Sequence, residues 1–192
     1  MRSLSPDLPV SIDTFRSSVA ARAIHKYGKV IINDISAGEL DPLIVDVAAE
    51  HDVPYVAMHM KGDPRTMQSM TDYRDIVAEV VDYFRERTAQ LRERGVRRIV
   101  VDPGFGFAKT LEQNYELLRG LHRLAELGYP VLAGVSRKSM IYKLLGTTPA
   151  EALNGTTALH WECLRQGAAI LRAHDTREAV EVVRMFDQFM QA

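Results

Sequence analysis

Ile99-Val100-Val101-Asp102-Pro103-Gly104-Phe105-Gly106-Phe107-Ala108-Lys109 is the stretch whose reading decides the fold. It begins as an apolar strand, meets a carboxylate and breaks at once into a Pro/Gly loop. A buried strand that ends on an acid and a tight turn places that acid at the rim of a sheet. Gly104 and Gly106 allow backbone to approach a ligand closely. Phe105 and Phe107 are expected to wall a flat pocket, and Lys109 to add a positive charge. An ordinary strand exit with a capping Asp would look the same in isolation. Recurrence separates the two, because strand, polar residue and loop follow one another again and again along the chain.

Upstream, Pro9 to Asp13 reads as a strand ending on an acid, and residues 17–27 as a helix closed by Gly28. Val30-Ile31-Ile32 ends on Asn33 and Asp34. Asp41-Pro42 opens a helix by the cap-then-proline rule. The strand 54–58 leads into His59, and a long helix spans about 73–94. Downstream come a helix over 111–127, a strand over 131–135 leaving through Ser136-Arg137-Lys138, a short helix over 140–145 and a helix over 154–166. A last strand over 168–171 ends on Arg172 and His174. Asp175 then takes the cap role of the final helix, which runs to about Phe189. Six uninterrupted strand–helix units predict a parallel α/β sheet with strands buried on both faces, in one domain over residues 1–192. An open doubly wound sheet and part of a (β/α)8 barrel both fit. No Gly-rich dinucleotide fingerprint follows any strand, which weakens the first.

The bulk properties bound the function. The chain has 192 residues, 46% of them hydrophobic, enough for one globular domain. A formal net charge of -1 implies no electrostatic pull toward nucleic acid or anionic membrane. The single cysteine, Cys163, excludes an internal disulfide and reads as a packing residue. No apolar run is long enough to span a bilayer and no signal peptide opens the sequence, so a cytoplasmic location is expected.

In parallel sheets and barrels, ligands bind beyond the carboxyl ends of the strands. There the sequence places Asp13, Asn33 with Asp34, His59, Asp102, Ser136 with Arg137 and Lys138, and Arg172 with His174. Asp13, Asn33 and Asp102 suit a ligand rich in N–H donors, since a buried carboxylate makes strong charge-assisted bonds. Lys138, Arg172 and His174 suit a phosphate or diphosphate. The pattern is that of a heterocycle carrying a phosphorylated arm. His59, Asp102 and His174 as a two-histidine, one-carboxylate metal set is the competing idea, with no fixed spacing behind it.

Seven segments carry a resemblance. Ser11-Ile12-Asp13-Thr14, Ile32-Asn33-Asp34-Ile35, Met58-His59-Met60-Lys61-Gly62, Asp102-Pro103-Gly104-Phe105-Gly106-Phe107, Gly134-Val135-Ser136-Arg137-Lys138, Asn154-Gly155-Thr156 and Arg172-Ala173-His174-Asp175 resemble, in order, the motifs of the dihydropteroate synthase family. The resemblance implies a (β/α)8 TIM barrel of the pterin-binding type and a transferase of folate biosynthesis. It implies condensation of 6-hydroxymethyl-7,8-dihydropterin diphosphate with 4-aminobenzoate to 7,8-dihydropteroate and diphosphate. By the same resemblance Asp13, Asn33, Met58, Asp102 and Lys138 would hold the pterin, and Arg172 and His174 the diphosphate. Phe107, Ser136 and Lys138 would border the aminobenzoate, where sulfonamides bind in the family. Gly104, Gly106, Gly134 and Arg137 would support the loops.

The resemblance further implies Mg²⁺ on the diphosphate, with its protein ligand in a first loop that this sequence does not show, and a possible homodimer through an outer helix bearing Val180, Val183, Phe186, Phe189 and Met190. Only six of the family's eight strands are legible, Asp13 matching the end of the third. The expectation is therefore an N-terminally truncated barrel with little or no turnover alone. Two other readings stand beside it: a methyltetrahydrofolate-type methyltransferase domain, and a non-catalytic pterin-binding remnant.

Overall fold

The computed structural model describes residues 8–62, 66 and 69–191. Residues 1–7, 63–65, 67–68 and 192 lie outside the described residues. The chain divides into two compact units: Met1–Met58 with Glu86–Val100, and His59–Arg85 with Val101–Ala192.

The first unit holds β1 (Val10–Asp13), α1 (Ser17–Tyr27), β2 (Val30–Asp34), α2 (Leu43–Glu50) and β3 (Tyr55–Met58), with the end of α3 (Ile76–Glu93) and the start of β4 (Ile99–Asp102). β-Branched residues suit the pleated, buried surface. Pairing is parallel, Val10 opposite Val30 through to Asp13 opposite Asn33, and then Asn33 opposite Val56. The Tyr55 N–H donates to the Arg98 carbonyl at 2.8 Å, just before β4. Ile32, Ile44, Val45, Ala48 and Tyr55 form the core of this unit. Asp41 does more than open α2. Its carboxylate accepts from Leu43 N–H at 3.2 Å and also from Ser17 N–H at 2.7 Å, so one acid caps two helices. Buried Asp34 accepts from Ser36 N–H and hydroxyl, Gly38 N–H and the Tyr55 hydroxyl, at 2.7–2.8 Å. It is a loop brace, fully used within the fold.

The second unit contains the start of α3, the end of β4, α4 (Leu111–Arg119), α5 (His122–Ala125), β5 (Leu132–Ala133), α6 (Ser139–Tyr142), α7 (Leu153–Arg165), β6 (Ile170–Leu171) and α8 (Thr176–Gln191). Val101 bridges Val131 in parallel, and β5 pairs with β6, Leu132 opposite Ile170 and Ala133 opposite Leu171. The His59 N–H donates to the Asp102 carbonyl at 2.9 Å. Val80, Val81, Phe84, Leu117, Leu121 and Leu124 are buried in this unit.

The fold is α/β with parallel strands, as the alternating pattern predicts. The strands lie in a four-stranded sheet of order β1-β2-β3-β4 and a two-stranded sheet β5-β6, not in a closed ring. A (β/α)8 ring needs eight strands, and six are present among the described residues. Several elements differ from the pattern-based limits, among them the short helix (Ser139–Tyr142) and the last strand (Ile170–Leu171), and three differences are the larger ones. α3 starts at Ile76, because the Asp75 carboxylate takes the Ala78 N–H at 2.9 Å and so caps the helix there. The helix expected over 111–127 is two pieces, α4 and α5, with Gly120 at the break. β5 is two residues long, and the Arg172 guanidinium packs against the backbone at Gly134, the residue that follows it. No helix among the described residues is long and apolar enough to cross a membrane.

Candidate active site

Each unit gathers its own share of the predicted site. In the first, strand register sets Asp13 and Asn33 side by side at the ends of β1 and β2, Asp13 exposed and Asn33 buried, while Met58 ends β3 and is buried. In the second, parallel pairing delivers His59, Asp102, the 134–138 segment and the 172–174 segment at neighbouring strand ends.

Asp102 is fully buried. One carboxylate oxygen accepts from Gly104 N–H at 2.8 Å, which bends the chain into its loop. The other oxygen has no hydrogen-bond partner among the described residues. Its nearest cation is the Arg172 guanidinium at 3.5 Å, an ion pair too long to count as a hydrogen bond. A buried carboxylate oxygen in that state is costly unless a donor arrives.

Arg172 reaches this position because residue 134 has no side chain. A Cβ at Gly134 would lie 2.7 Å from Nη2 and 3.1 Å from Nε of Arg172. The Ser136 hydroxyl lies 2.9 Å from His174 Nδ1 and accepts from the His174 N–H at 3.2 Å, which ties the two strand ends together. Gly134, Ser136, Arg137, Lys138, Arg172, Ala173 and His174 line a cavity of about 330 Å³.

The Lys138 amine donates to the Phe105 carbonyl and stands 4.8 Å above the centre of the Phe107 ring. Burial pulls its pKa down to about 8, with the Arg172 charge adding to the fall and Asp102 opposing it. Gly106 adopts φ +81 and lies against the Lys138 stem, and Gly104 adopts φ +69, so both loop glycines are used for conformations that L side chains rarely take. Arg137 is a clasp. Its guanidinium makes two 2.8 Å bonds to Asp175 and two more to the Pro149 and Ala150 carbonyls. Both Asp175 oxygens are therefore held by Arg137 as the chain enters α8.

Three expectations are corrected. Phe105 is fully buried, so only Phe107 is left to wall a pocket. Lys109 offers no charge to a ligand. Its amine turns inward to the Gly104 carbonyl at 3.0 Å, the Phe107 carbonyl at 2.9 Å and His59 Nδ1 at 3.1 Å. Burial brings its pKa down to about 7. His59, read as a strand-end polar group, is buried with its ring edge-on to Tyr83 at 4.9 Å, and that burial, with Lys109 and Lys61 nearby, holds its pKa well below the ordinary imidazole value. Asn114 is a site residue that sequence reasoning misses. Its side-chain oxygen accepts from Gly106 N–H at 2.6 Å, and its amide donates to the Thr110 carbonyl at 2.6 Å. An Asn one turn into a helix carries no pattern that announces such a role.

The residues present do not fit a protein-held Mg²⁺. No group of three or more His, Cys, Asp or Glu is placed to hold a metal ion among the described residues. The cavity is lined by Lys138 and Arg172, whose charges oppose a cation and suit an anion. The His59, Asp102 and His174 set does not assemble either, His59 being engaged by Lys109 and His174 by Ser136.

A buried acid with a free acceptor, a cavity lined by cationic side chains and a cation–aromatic pair thus lie at the strand ends of a parallel α/β fold. The pterin binding enzyme family matches residues 1–174, and the chain belongs to that family. A dihydropteroate synthase from Synechocystis sp. is 43% identical over 184 residues, 94% of this chain and 63% of that protein. The structure of the Thermus thermophilus dihydropteroate synthase in complex with 4-aminobenzoate superposes with a TM-score of 0.89 at 41% identity, over 94% of this chain and 70% of that one. The same enzyme in complex with 6HMPPP gives a TM-score of 0.89 at 41% identity, over 94% and 72%. The chain thus spans a little under two thirds of the length of the curated relatives it matches.

Proposed function

We propose that this chain carries the pterin, aminobenzoate and diphosphate subsites of a dihydropteroate synthase, a transferase of folate biosynthesis. The observation that carries the reading is the buried Asp102 oxygen without a hydrogen-bond donor, set beside the Arg172, His174 and Lys138 cavity. That oxygen suits a pterin N–H, and the cavity suits the diphosphate. In this reading Asp13, Asn33, Met58, Asp102 and Lys138 hold the pterin. Phe107 and Ser136 border the 4-aminobenzoate, where a sulfonamide would compete.

The chemistry asks little of the protein beyond placement and charge. The amine nitrogen of 4-aminobenzoate supplies the electron pair for a new bond to the pterin methylene carbon. The carbon–oxygen bond to diphosphate breaks, and that oxygen keeps its electron pair. The proton on the new ammonium leaves to water or to the released diphosphate. Arg172 and Lys138 favour the charge that grows on the leaving group. No covalent enzyme intermediate is needed. Mg²⁺ belongs to the proposal as a counter-ion that arrives with the diphosphate.

A cytoplasmic setting and a homodimer belong to the same proposal. α8 buries Ala179 and Val182 but leaves Val180, Met185, Phe189 and Met190 half or more exposed, which supports a second copy as their cover.

The test is titration calorimetry with a pterin ligand, with and without diphosphate. Diphosphate should strengthen pterin binding, an effect for which a methyltetrahydrofolate-type methyltransferase domain has no use. Asp102→Ala and Lys138→Ala should each weaken pterin binding about 10- to 100-fold, the worth of one charged hydrogen bond. Ser17→Ala, on α1, should not. Equal losses in all three would mean that the strand-end assignment is wrong.

A further inference from the structure

The loop between Asp102 and α4 carries two of the proposed contact groups, Phe107 directly and Lys138 through its bond to the Phe105 carbonyl. It has almost no regular structure of its own. Gly104, Gly106 and Ala108 all adopt positive φ, and one backbone turn, Phe107 N–H to the Gly104 carbonyl at 3.1 Å, closes within it. Such a segment holds its shape only if something inside it satisfies its polar groups. Two pins do so. Asn114 takes the Gly106 N–H from the helix side. Lys109, 6% exposed, fills the interior with its amine.

That amine has three hydrogen-bond positions and all three are occupied: the Gly104 carbonyl, the Phe107 carbonyl and His59 Nδ1. The two carbonyls lie at opposite ends of the Gly104–Phe107 turn, so the amine fixes the span of the turn. His59 is held in turn by its ring neighbours Tyr83, Tyr73 and Phe84. The arrangement survives loss of the amine's proton. With the proton, three N–H groups donate and Nδ1 accepts. Without it, two N–H groups still reach the carbonyls, and an Nδ1–H can donate to the nitrogen lone pair. Asp102, Lys138 and Lys61 are the other charged groups that act on Lys109.

We propose that Lys109 is a positioning residue for the 4-aminobenzoate side of the site: its buried amine sets the Gly104–Phe107 turn, and through it the places of the Phe107 ring and of Lys138. This rests on the function proposed above, and goes beyond it by naming a residue that touches no substrate.

The experiment compares wild type with Lys109→Met, which keeps the stem and removes all three bonds, and with Lys109→Gln, which keeps two N–H donors on a shorter stem. Two quantities are read. The first needs no ligand: amide hydrogen exchange at Gly106 and Phe107, expected to quicken in Lys109→Met. The second is calorimetry of 4-aminobenzoate with diphosphate present, and of diphosphate alone. Aminobenzoate affinity should fall about tenfold or more in Lys109→Met, because small misplacements are costly. It should fall less in Lys109→Gln. Diphosphate affinity should fall clearly less than aminobenzoate affinity, since Gly134, Arg172 and His174 lie off the loop and only Lys138 of the cavity lining is positioned through it. A general packing defect would lower both affinities to the same degree. If Lys109→Met does not fold, Lys109→Gln carries both readouts. Unchanged exchange, or unchanged aminobenzoate affinity in a wild type that binds it, overturns the proposal. If wild type binds neither ligand, the proposed function falls, and the exchange measurement alone decides the role of Lys109 in the turn.

Discussion

Adding one methyl group at Gly134 gives the sharpest test of the anion cavity. Gly134→Ala would place a Cβ 2.7, 3.1 and 3.2 Å from Nη2, Nε and Cζ of Arg172. Ordinary carbon contacts begin near about 3.5 Å, so the guanidinium must move by several tenths of an ångström or more. It can do so, because the Arg172 side chain is 40% exposed and free to swing outward. The strain on folding is therefore small, on the order of 1 kcal/mol or less. The loss falls on binding. A displaced guanidinium gives up the 3.5 Å ion pair with Asp102 and its charge-assisted bonds to an incoming diphosphate, about 1.5–3 kcal/mol, or roughly 10- to 150-fold in affinity. Calorimetry with diphosphate reads that loss, and a thermal melt shows that the fold is kept. The decisive arm is the double variant. In an Arg172→Ala background, Gly134→Ala should cost nothing further, because the clash partner is gone. Full additivity of the two losses, or unchanged diphosphate affinity in Gly134→Ala, would refute the reasoning.

Other consequences follow from the packing. Tyr55→Phe removes one of the donors to buried Asp34 and should destabilise the protein by about 1–3 kcal/mol in urea denaturation, with an unchanged slope. Gly120→Ala would push a Cβ to 2.6 and 2.7 Å from the two Val77 methyls, an overpacking cost of about 1–3 kcal/mol that Val77→Ala should relieve. The Arg137 hydrogen bonds hold the Asp175 carboxyl below its usual pKa. Its contribution to stability is therefore complete above about pH 4 and is lost as the pH falls through the lowered folded value. An Asp175→Asn variant should melt lower than wild type at neutral pH, with the gap closing as the pH falls through that lowered value.

Much of this molecule was legible as text. Alternation of short β-branched runs with amphipathic segments forces parallel strands, because a helix must cross over before each next strand. The same alternation puts Asp13, Asn33, Asp102, Ser136 and Arg172 at carboxyl ends, so a strand-end search finds them with no coordinates. Limits of elements were less legible. Gly120, at the break, packs against Val77, 43 positions away in the chain, and no local preference encodes that contact.

What the sequence alone determined is therefore the class of fold, the strand ends and the polar groups they carry, since these follow from periods of two and 3.6 residues along one chain. What only the tertiary structure decided is the direction in which each polar group is spent. Lys109 and Lys138 are the same residue type on neighbouring loops. One is folded inward as a brace for backbone carbonyls, and the other stands over Phe107. Asp34 is consumed by four donors, while Asp102 keeps one oxygen without a hydrogen-bond partner among the described residues. The physical reason is that a buried charge settles wherever unpaired partners already wait for it, and those partners come from remote segments that only packing brings within hydrogen-bond reach.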